Sequence, residues 1–325
     1  MDRSFLLSVI VPMYFEQAVA RECYRRLTAV LAGQGYDYEL LFVNDGSTDE
    51  TLDILKDLAA KDERVRVLSF SRNFGHQVAV TAGVEHARGD ALVIIDADLQ
   101  DPPELIPDMV ALWLQGWEVV YAKRKKRKGE SAFKLLTAKM FYRVLGSLTD
   151  IDIPADTGDF RLIDRKVADA FLRMPERSRF IRGMMAWLGF KQTPIEYERD
   201  ERFAGETKYP LKKMLKLASN GILSFSTQPL RLVLQMGLVA VVISFCLLIY
   251  AIVSKAMGTA EGGWTSLMVA VTFLGGVQLV SIGVLGQYLA RMFEESKARP
   301  LYVLSETVNL DTKAMRDSGA ASDAL

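Results

Sequence analysis

The chain has 325 residues, with 40 basic and 40 acidic side chains that cancel. That balance argues against a general nucleic-acid binder, and the length exceeds one small core, which points to a domain with an appendage. The two cysteines, Cys23 and Cys246, are too few and too far apart for a disulfide framework or a metal knuckle.

The apolar run in MDRSFLLSVIVP is too short for a secretory signal and reads as a first strand, SVIVPM at 8–13. A helical pattern runs on to about Leu31, and ELLFV (39–43) is a second strand. NDGSTDE closes it with turn chemistry, and Ser47 to Glu50 has capping-box spacing for the next helix. VRVLSF (65–70) is a strand, about His76 to Ala87 a helix, and ALVIID (91–96) a strand. After LQDPPE a helix covers about Glu104 to Gln115 with Pro103 at its first turn, and WEVVYA (117–122) is a strand. Strands alternating with helices, apolar throughout, describe an α/β fold with a mostly parallel sheet covered on both faces. Neither a GxGxxG nor a P-loop lysine motif occurs.

The composition then turns basic. KRKKRK occupies 123–128, and SAFKLLTAKMFYRVL and YPLKKMLKLASNGI place apolar residues at helical spacing among lysines and arginines. Basic amphipathic helices of this kind lie on anionic lipid surfaces, with core packing, or a solvated loop for KRKKRK, as the alternative. Leu232 to Ser254 is a run of 23 residues without charge and Gly262 to Ala290 one of 29, each long enough to span a bilayer. Arg231, Arg291, Lys297 and Arg299 flank the outer ends, while KAMGTAEGG between the runs holds one lysine. The positive-inside rule then puts both termini and the N-terminal domain in the cytoplasm. Glycines in FLGGVQLVSIGVLG suit helix–helix packing and a homo-oligomer. The small, polar tail from about Asp311 is expected to be disordered.

In an open parallel sheet, ligands bind beyond the carboxyl ends of the strands. There the chain places Pro12 to Glu16, Asn44-Asp45-Gly46, Ser71 to Gly75 and Asp96-Ala97-Asp98. Asp96 and Asp98 share a face of extended backbone, and Gln100 adds a neutral oxygen, a set suited to Mg²⁺ or Mn²⁺ on a phosphate. Asp101 and Glu104 are assigned to the N-terminus of the following helix. A second acid pair, Asp156 and Asp159, accompanies Arg161 in ADTGDFRLIDR. Neither histidine stands out as catalytic. His76 starts a helix on the rim, where substrate contact is the alternative to a structural role, and His86, late in that helix, is expected at the surface.

SVIVPMYFE, VNDGSTDET, SRNFGHQVAVTAG, DADLQDPPE, DTGDFRLIDR and RFAGETKYPLKKM, in this order, resemble the inverting family 2 glycosyltransferases of GT-A fold. Over about residues 5–305 the chain is similar to the polyprenyl-phosphate branch, with bactoprenol glucosyltransferase and dolichol-phosphate mannose synthase among its relatives. The resemblance implies a GT-A catalytic domain over 1–208, a juxtamembrane region over 209–230, two transmembrane helices over 231–290 (about 232–254 and 266–290) and a C-terminal segment over 291–325.

It also implies roles. Pro12, Tyr14, Glu16 and Asp45 would hold the nucleoside. Asp96, Asp98 and Gln100 would ligate Mg²⁺ or Mn²⁺, with Asp96 also at the donor and Asp98 near the chemistry. Arg202 and Lys208 would close over the donor phosphates. Arg124, Arg127 and Ser131 would grip the acceptor phosphate, and Asp159 would serve as base or as an orienting group. The implied reaction moves a sugar, best taken as glucose, from a UDP-sugar to undecaprenyl phosphate at the cytoplasmic face of a bacterial inner membrane. A flippase and a downstream glycosyltransferase would use the product. Two rivals remain at this point. A processive polysaccharide synthase would bring more membrane helices and a QxxRW-type motif, and a non-catalytic membrane adaptor would have no use for the paired aspartates and phosphate-binding arginines.

Overall fold

The computed structural model describes residues 4–125, 157–197, 227–258 and 263–310. Arg127, Ser131, Arg202 and Lys208 lie outside the described residues, as do the basic amphipathic stretches and the polar tail from Asp311.

Continuous apolar runs form the centre of the sheet, because strands covered by helices on both sides need no polar face. β1 (Leu6–Met13) and β2 (Asp37–Asn44) pair in parallel along their whole length, and every residue but the first of each is buried. β3 (Val65–Phe70) extends the sheet beside β2, and β4 (Ala91–Ile94) lies on the other side of β1. The intervening helices are α1 (Ala20–Leu31), α2 (Thr51–Lys61), α3 (His76–His86) and α4 (Ile106–Leu114). β5 (Val119–Arg124), β6 (Thr157–Asp164), α5 (Arg165–Leu172), α6 (Ile181–Trp187), β7 (Gln192–Tyr197) and β8 (Leu304–Val308) complete the unit. The strand order is β7-β5-β6-β4-β1-β2-β3-β8. β6 and β8 run against their neighbours, while the other six strands share one direction.

The mostly parallel α/β sheet and its five expected strands are present, and β6, β7 and β8 were not anticipated. TGDFRLID hides a strand because Asp159 and Arg161 are buried against each other's neighbourhood instead of marking an exposed face. β7 is a half-exposed edge and β8 a five-residue polar segment, so neither carries an apolar run. The capping box is corrected too. Ser47 Oγ accepts from the Phe15 amide at 3.1 Å, and α2 starts at Thr51 without a side-chain cap. Ser47 therefore ties the loop after β1 to the loop after β2.

Two glycines set approaches that position the rim. Gly46 has φ +66°, and a Cβ there would lie 2.3 Å from the Arg72 carbonyl carbon. Gly83 lets α3 sit directly on β1, since its Cβ would meet Ile10 Cγ2 at 2.2 Å. This contact fixes the height of α3, and therefore of His76 at its start.

At the opposite edge of the sheet, Glu39 is buried and accepts from Ser8 Oγ (2.6 Å), Arg66 Nη1 (2.7 Å) and the Arg88 amide (2.8 Å). Arg66 also donates to the carbonyls of His86 and Asn309, and Asn309 Nδ2 donates to Ala59 and Val65. One buried ion pair thus joins β1, β2, β3, the end of α3 and the residue after β8. Burial raises the Glu39 pKa, but the Arg88 amide, the Ser8 hydroxyl and Arg66 outweigh it and leave it lowered.

The chain divides into two units: Met1–Thr137, Ile153–Tyr209 and Arg299–Leu325 form one, Ala138–Asp152 and Pro210–Ala298 the other. Within the second, α7 (Gln228–Ala256, 29 residues) and α8 (Trp264–Ser296, 33 residues) lie against each other. Both are long and apolar enough to cross a membrane. Even the shorter is about 43 Å long, against roughly 30 Å of hydrocarbon.

Removing one partner of the Glu39–Arg66 pair strands a buried charge. Arg66→Met is expected to destabilise the folded unit by about 3 kcal/mol, lowering the melting temperature of the detergent-solubilised chain by roughly 6–12 °C. Because the folded pKa of Glu39 is lowered, its contribution is complete above the ordinary glutamate pKa and is lost as pH falls through the folded value. Melting curves of wild type and Glu39→Gln should therefore converge towards acid pH.

Candidate active site

The reversed direction of β6 builds the site. β4 and β6 pair antiparallel, with Ile94 opposite Arg161. β6 therefore begins at the rim where the parallel strands end, and continuing the register sets Asp159 across from Asp96. Like charges opposite each other on neighbouring strands repel. His76, the first residue of α3, stands at both: its Nε2 is 3.1 Å from Asp159 Oδ2 and 3.7 Å from Asp96 Oδ1.

Asp159 is buried, and its other partners are residues the sequence did not flag. Arg182 Nε on α6 donates to Oδ1 at 2.8 Å, and Gln77 Nε2 donates to Oδ2 at 3.3 Å. The Gln77 Oε1 accepts from the Ile181 amide at 2.9 Å, so one side chain joins α3, β6 and α6. Arg161, also buried, turns back to the carbonyls of Gly158 and Asp159. Burial raises the Asp159 pKa, yet Arg182 and His76 outweigh it and hold the carboxyl well below the usual range. Burial lowers the His76 pKa, and the bond to Asp159 with the charge of Asp96 overcomes this and raises it to about 9. Asp96 goes the other way: burial, against the pull of His76 and with repulsion from Asp159, Asp101 and Asp98, pushes it up to about 6.

Past β4, exposure alternates. Asp96, Asp98 and Gln100 are half-buried, while Ala97 and Leu99 are buried. The three oxygen-bearing residues are thus each partly exposed, although residues 97–99 turn instead of continuing the extended backbone that the spacing assumed. Leu99 holds φ +57°, a left-handed conformation rare for a leucine, and Asp98 Oδ1 accepts the Gln100 amide at 3.1 Å across it. Among the described residues, no three His, Cys, Asp or Glu side chains converge as a closed metal cage. Two open carboxylates and an amide oxygen do fit a hard divalent ion that takes its remaining ligands from water and a diphosphate.

Asp101 departs from its assignment. It is buried, accepts from the Tyr197 hydroxyl at the end of β7, and lies 3.9 Å from Arg124 Nη2. The 3₁₀ turn Pro103–Leu105 ahead of α4 has no side-chain cap, so Asp101 serves a polar cluster rather than a helix end. Burial and Asp101 push the Tyr197 hydroxyl up to about 12. Arg124 Nε donates to Tyr197 Oη at 3.2 Å, and a Cβ on Gly158 would come within 3.3 Å of its Nη2. Arg124 is therefore held beside the residue that precedes Asp159. Glu104 pairs with Arg26 on α1. His86 is also corrected: it is half-buried, with Nε2 3.0 Å from the Tyr302 hydroxyl, because the segment leading into β8 covers it.

The other loops of the rim are stitched together. Pro12 is buried at the end of β1, and Tyr14, 41% exposed, packs against Phe15 with ring centres 4.4 Å apart. The Glu16 amide donates to Thr51 Oγ1 at 3.0 Å. Asp45 is buried and accepts from the Phe74 amide (2.7 Å), the Gly75 amide (3.0 Å) and Asn73 Nδ2 (2.9 Å). Burial leaves its pKa raised despite these bonds. The structure thus gathers Tyr14, Glu16, Asp45, Asp96, Asp98, Gln100, Asp159 and Arg124 in loops and strand ends of one sheet unit. His76 was underweighted, and Gln77 and Arg182 were missed, since no spacing pattern links them to Asp159 until β6 is recognised as reversed; Tyr197 was missed because its partners, Asp101 and Arg124, lie far away in sequence.

Comparison with known proteins agrees with this architecture. Residues 8–172 match the glycosyl transferase family 2 model, and residues 228–292 match the GtrB C-terminal hairpin. An uncharacterized glycosyltransferase, YkcC, of Bacillus subtilis (strain 168) is 50% identical over 97% of this chain and 98% of its own. A prophage bactoprenol glucosyl transferase homolog of Escherichia coli (strain K12) is 41% identical over 92% of this chain and 98% of its own. The bactoprenol glucosyl transferase of Shigella phage SfV is 41% identical over 92% and 97%. With a family match over half its length and near full-length relatives, the chain belongs to glycosyl transferase family 2 and is a glycosyltransferase of GT-A fold that carries a GtrB-type C-terminal hairpin.

Proposed function

We propose that the protein transfers glucose from UDP-glucose to undecaprenyl phosphate at the cytoplasmic face of the bacterial cell membrane. The observation that carries this reading is near full-length similarity, at 41% identity, to proteins named as bactoprenol glucosyl transferases. A polyprenyl phosphate is a lipid with an anionic head, and the two long apolar helices suit an enzyme that must meet it at a bilayer.

In this reading Pro12, Tyr14, Glu16 and Asp45 line the nucleoside, and Asp96, Asp98 and Gln100 hold Mg²⁺ or Mn²⁺. The ion, when bound, would neutralise charge on the diphosphate as a Lewis acid. Arg202 and Lys208 add positive charge to the leaving UDP, where negative charge grows in the transition state. Arg124, Arg127 and Ser131 hold the acceptor phosphate. A phosphate oxygen attacks the anomeric carbon as its bond to UDP breaks, which inverts an α-linked donor to a β-linked lipid product. The acceptor's second pKa is about 6, so it is largely ionised at neutral pH and requires no strong base. Asp159, held well below the carboxylate range, suits an orienting role. The product then feeds a flippase and a second glycosyltransferase of the cell envelope.

Connectivity supports a same-side topology. β8 follows α8 in the chain yet pairs with β3, so chain that precedes and chain that follows the helix pair belong to one sheet unit. If both helices cross the membrane, that unit can only lie on one side. In a Cys246→Ser background, Glu261→Cys should react with an impermeant maleimide in intact cells, and the exposed Glu63→Cys only after lysis. Equal labelling of both would refute the topology.

Radiolabelled UDP-glucose incubated with the full chain and undecaprenyl phosphate should pass label into chloroform-extractable lipid, with loss on chelation and recovery with Mn²⁺ or Mg²⁺. Asp98→Asn should lower kcat/KM by roughly 100-fold or more. A long water-soluble polymer would instead indicate a synthase, and no incorporation from any sugar nucleotide would indicate an adaptor.

A further inference from the structure

Asp159 is the residue that resemblance singles out for the chemistry, but its surroundings leave it little to offer a reactant. Its side chain is 8% exposed. Oδ1 is taken by Arg182 at 2.8 Å, and Oδ2 by His76 at 3.1 Å and Gln77 at 3.3 Å. His76 is differently placed. Its side chain is 37% exposed, Nε2 faces Asp159 and Asp96, and Nδ1 has no partner among the described residues.

We propose that His76 is the member of this pair that meets the reactants, through Nδ1, and that Asp159 is a positioning residue acting through it. The inference rests on the glycosyl-transfer reading above and names a further contact for that reaction: an oxygen of the sugar nucleotide or of the acceptor phosphate. A buried carboxylate holding one ring nitrogen fixes the orientation of the imidazole and leaves its second nitrogen to act elsewhere. The rest of the rim supports this fixed pose. Gly83 seats α3 on Ile10, and Gln77 is pinned by the Ile181 amide, so the ring starts from a rigid helix. Arg182 holds the other oxygen of Asp159 at 2.8 Å. Asp96 and Asp98 are the part-exposed carboxylates of this rim, and His76, 3.7 Å from Asp96, is part-exposed beside them.

The full chain in nanodiscs tests the assignment in three ways. His76→Ala and Asp159→Asn should each lower kcat by about 100-fold or more while the variants remain folded at the assay temperature and UDP binding persists. The double variant should be no more than about threefold worse than the worse single one, because the two act as a unit. Multiplying losses would show that Asp159 meets the reactants independently and would overturn the proposal. Conservative variants separate the nitrogens: the asparagine amide sits near the place of Nδ1 and the glutamine amide near Nε2. His76→Asn should therefore retain more kcat than His76→Gln, and the reverse order would mean that His76 only braces Asp159.

The third measurement does not depend on turnover. The chain has 2 histidines, and His86 lies ten residues farther along α3, about 15 Å away. In ¹⁵N-histidine spectra of the untagged chain, UDP-glucose with Mg²⁺ should move the Nδ1 resonance of His76 and spare His86. An unmoved His76 resonance in protein that binds UDP-glucose would overturn the proposal. A wild type that moves no sugar to undecaprenyl phosphate would refute the functional reading alone, since the spectra still decide the role of His76.

Discussion

Two carboxylates brought face to face are the constraint on which this site depends. The parallel strands deliver Asp96 to the rim, and the reversed β6 delivers Asp159 to the facing position. Such a pair is unfavourable unless cations complete it. His76 stands at both acids and Arg182 holds the far side of Asp159, so one carboxylate is fully compensated by the protein. The other is left raised in pKa and half-open beside Asp98. In the reading proposed above, that asymmetry gives the two acids different tasks: Asp159 belongs to the framework, and Asp96 is left for a metal ion.

The same economy recurs in the loops. Asp45 is buried and spent on the amides of Phe74 and Gly75, which set the start of α3 and hence His76. Ser47 ties the β1 loop to the β2 loop, and Gly46 allows the close approach to Arg72. Every strand end at the rim is thus fastened to its neighbour. Behind the rim, Glu39 and Arg66 fasten the opposite edge, including the residue that follows β8. The C-terminal strand returns the chain to the same sheet after the two long helices, and Tyr302 stacks on Phe70 at the entrance to that strand.

Much of this was legible in the sequence, for a physical reason. Buried parallel strands need unbroken apolar runs, so β1 to β5 announced themselves, and the long charge-free runs announced α7 and α8. The alternation of Asp96, Asp98 and Gln100 with Ala97 and Leu99 also survived into the structure as open and buried positions. What was hidden depended on pairing across the sheet. Thr157 to Asp164 does not look like an interior strand, because the buried charge of Asp159 is met by His76 and Arg182, far away in sequence, and Arg161 turns back on its own strand. Arg182 and Gln77 become meaningful only once β6 is seen to run backwards. Asp101 misled because an acid before a helix is usually a cap, whereas here Tyr197, 96 residues later, claims it. His86 misled because its cover comes from Tyr302, 216 residues away.

The central claim is that the carboxylate-rich rim is an incomplete site that a metal-bound diphosphate completes. Electron paramagnetic resonance of Mn²⁺ titrated into the full chain, with and without UDP, tests this directly. Tight Mn²⁺ binding should appear only when UDP is present, and Asp96→Asn should abolish it while Asp159→Asn leaves most of it intact. Equal Mn²⁺ affinity without UDP, or undiminished binding in Asp96→Asn, would contradict the account.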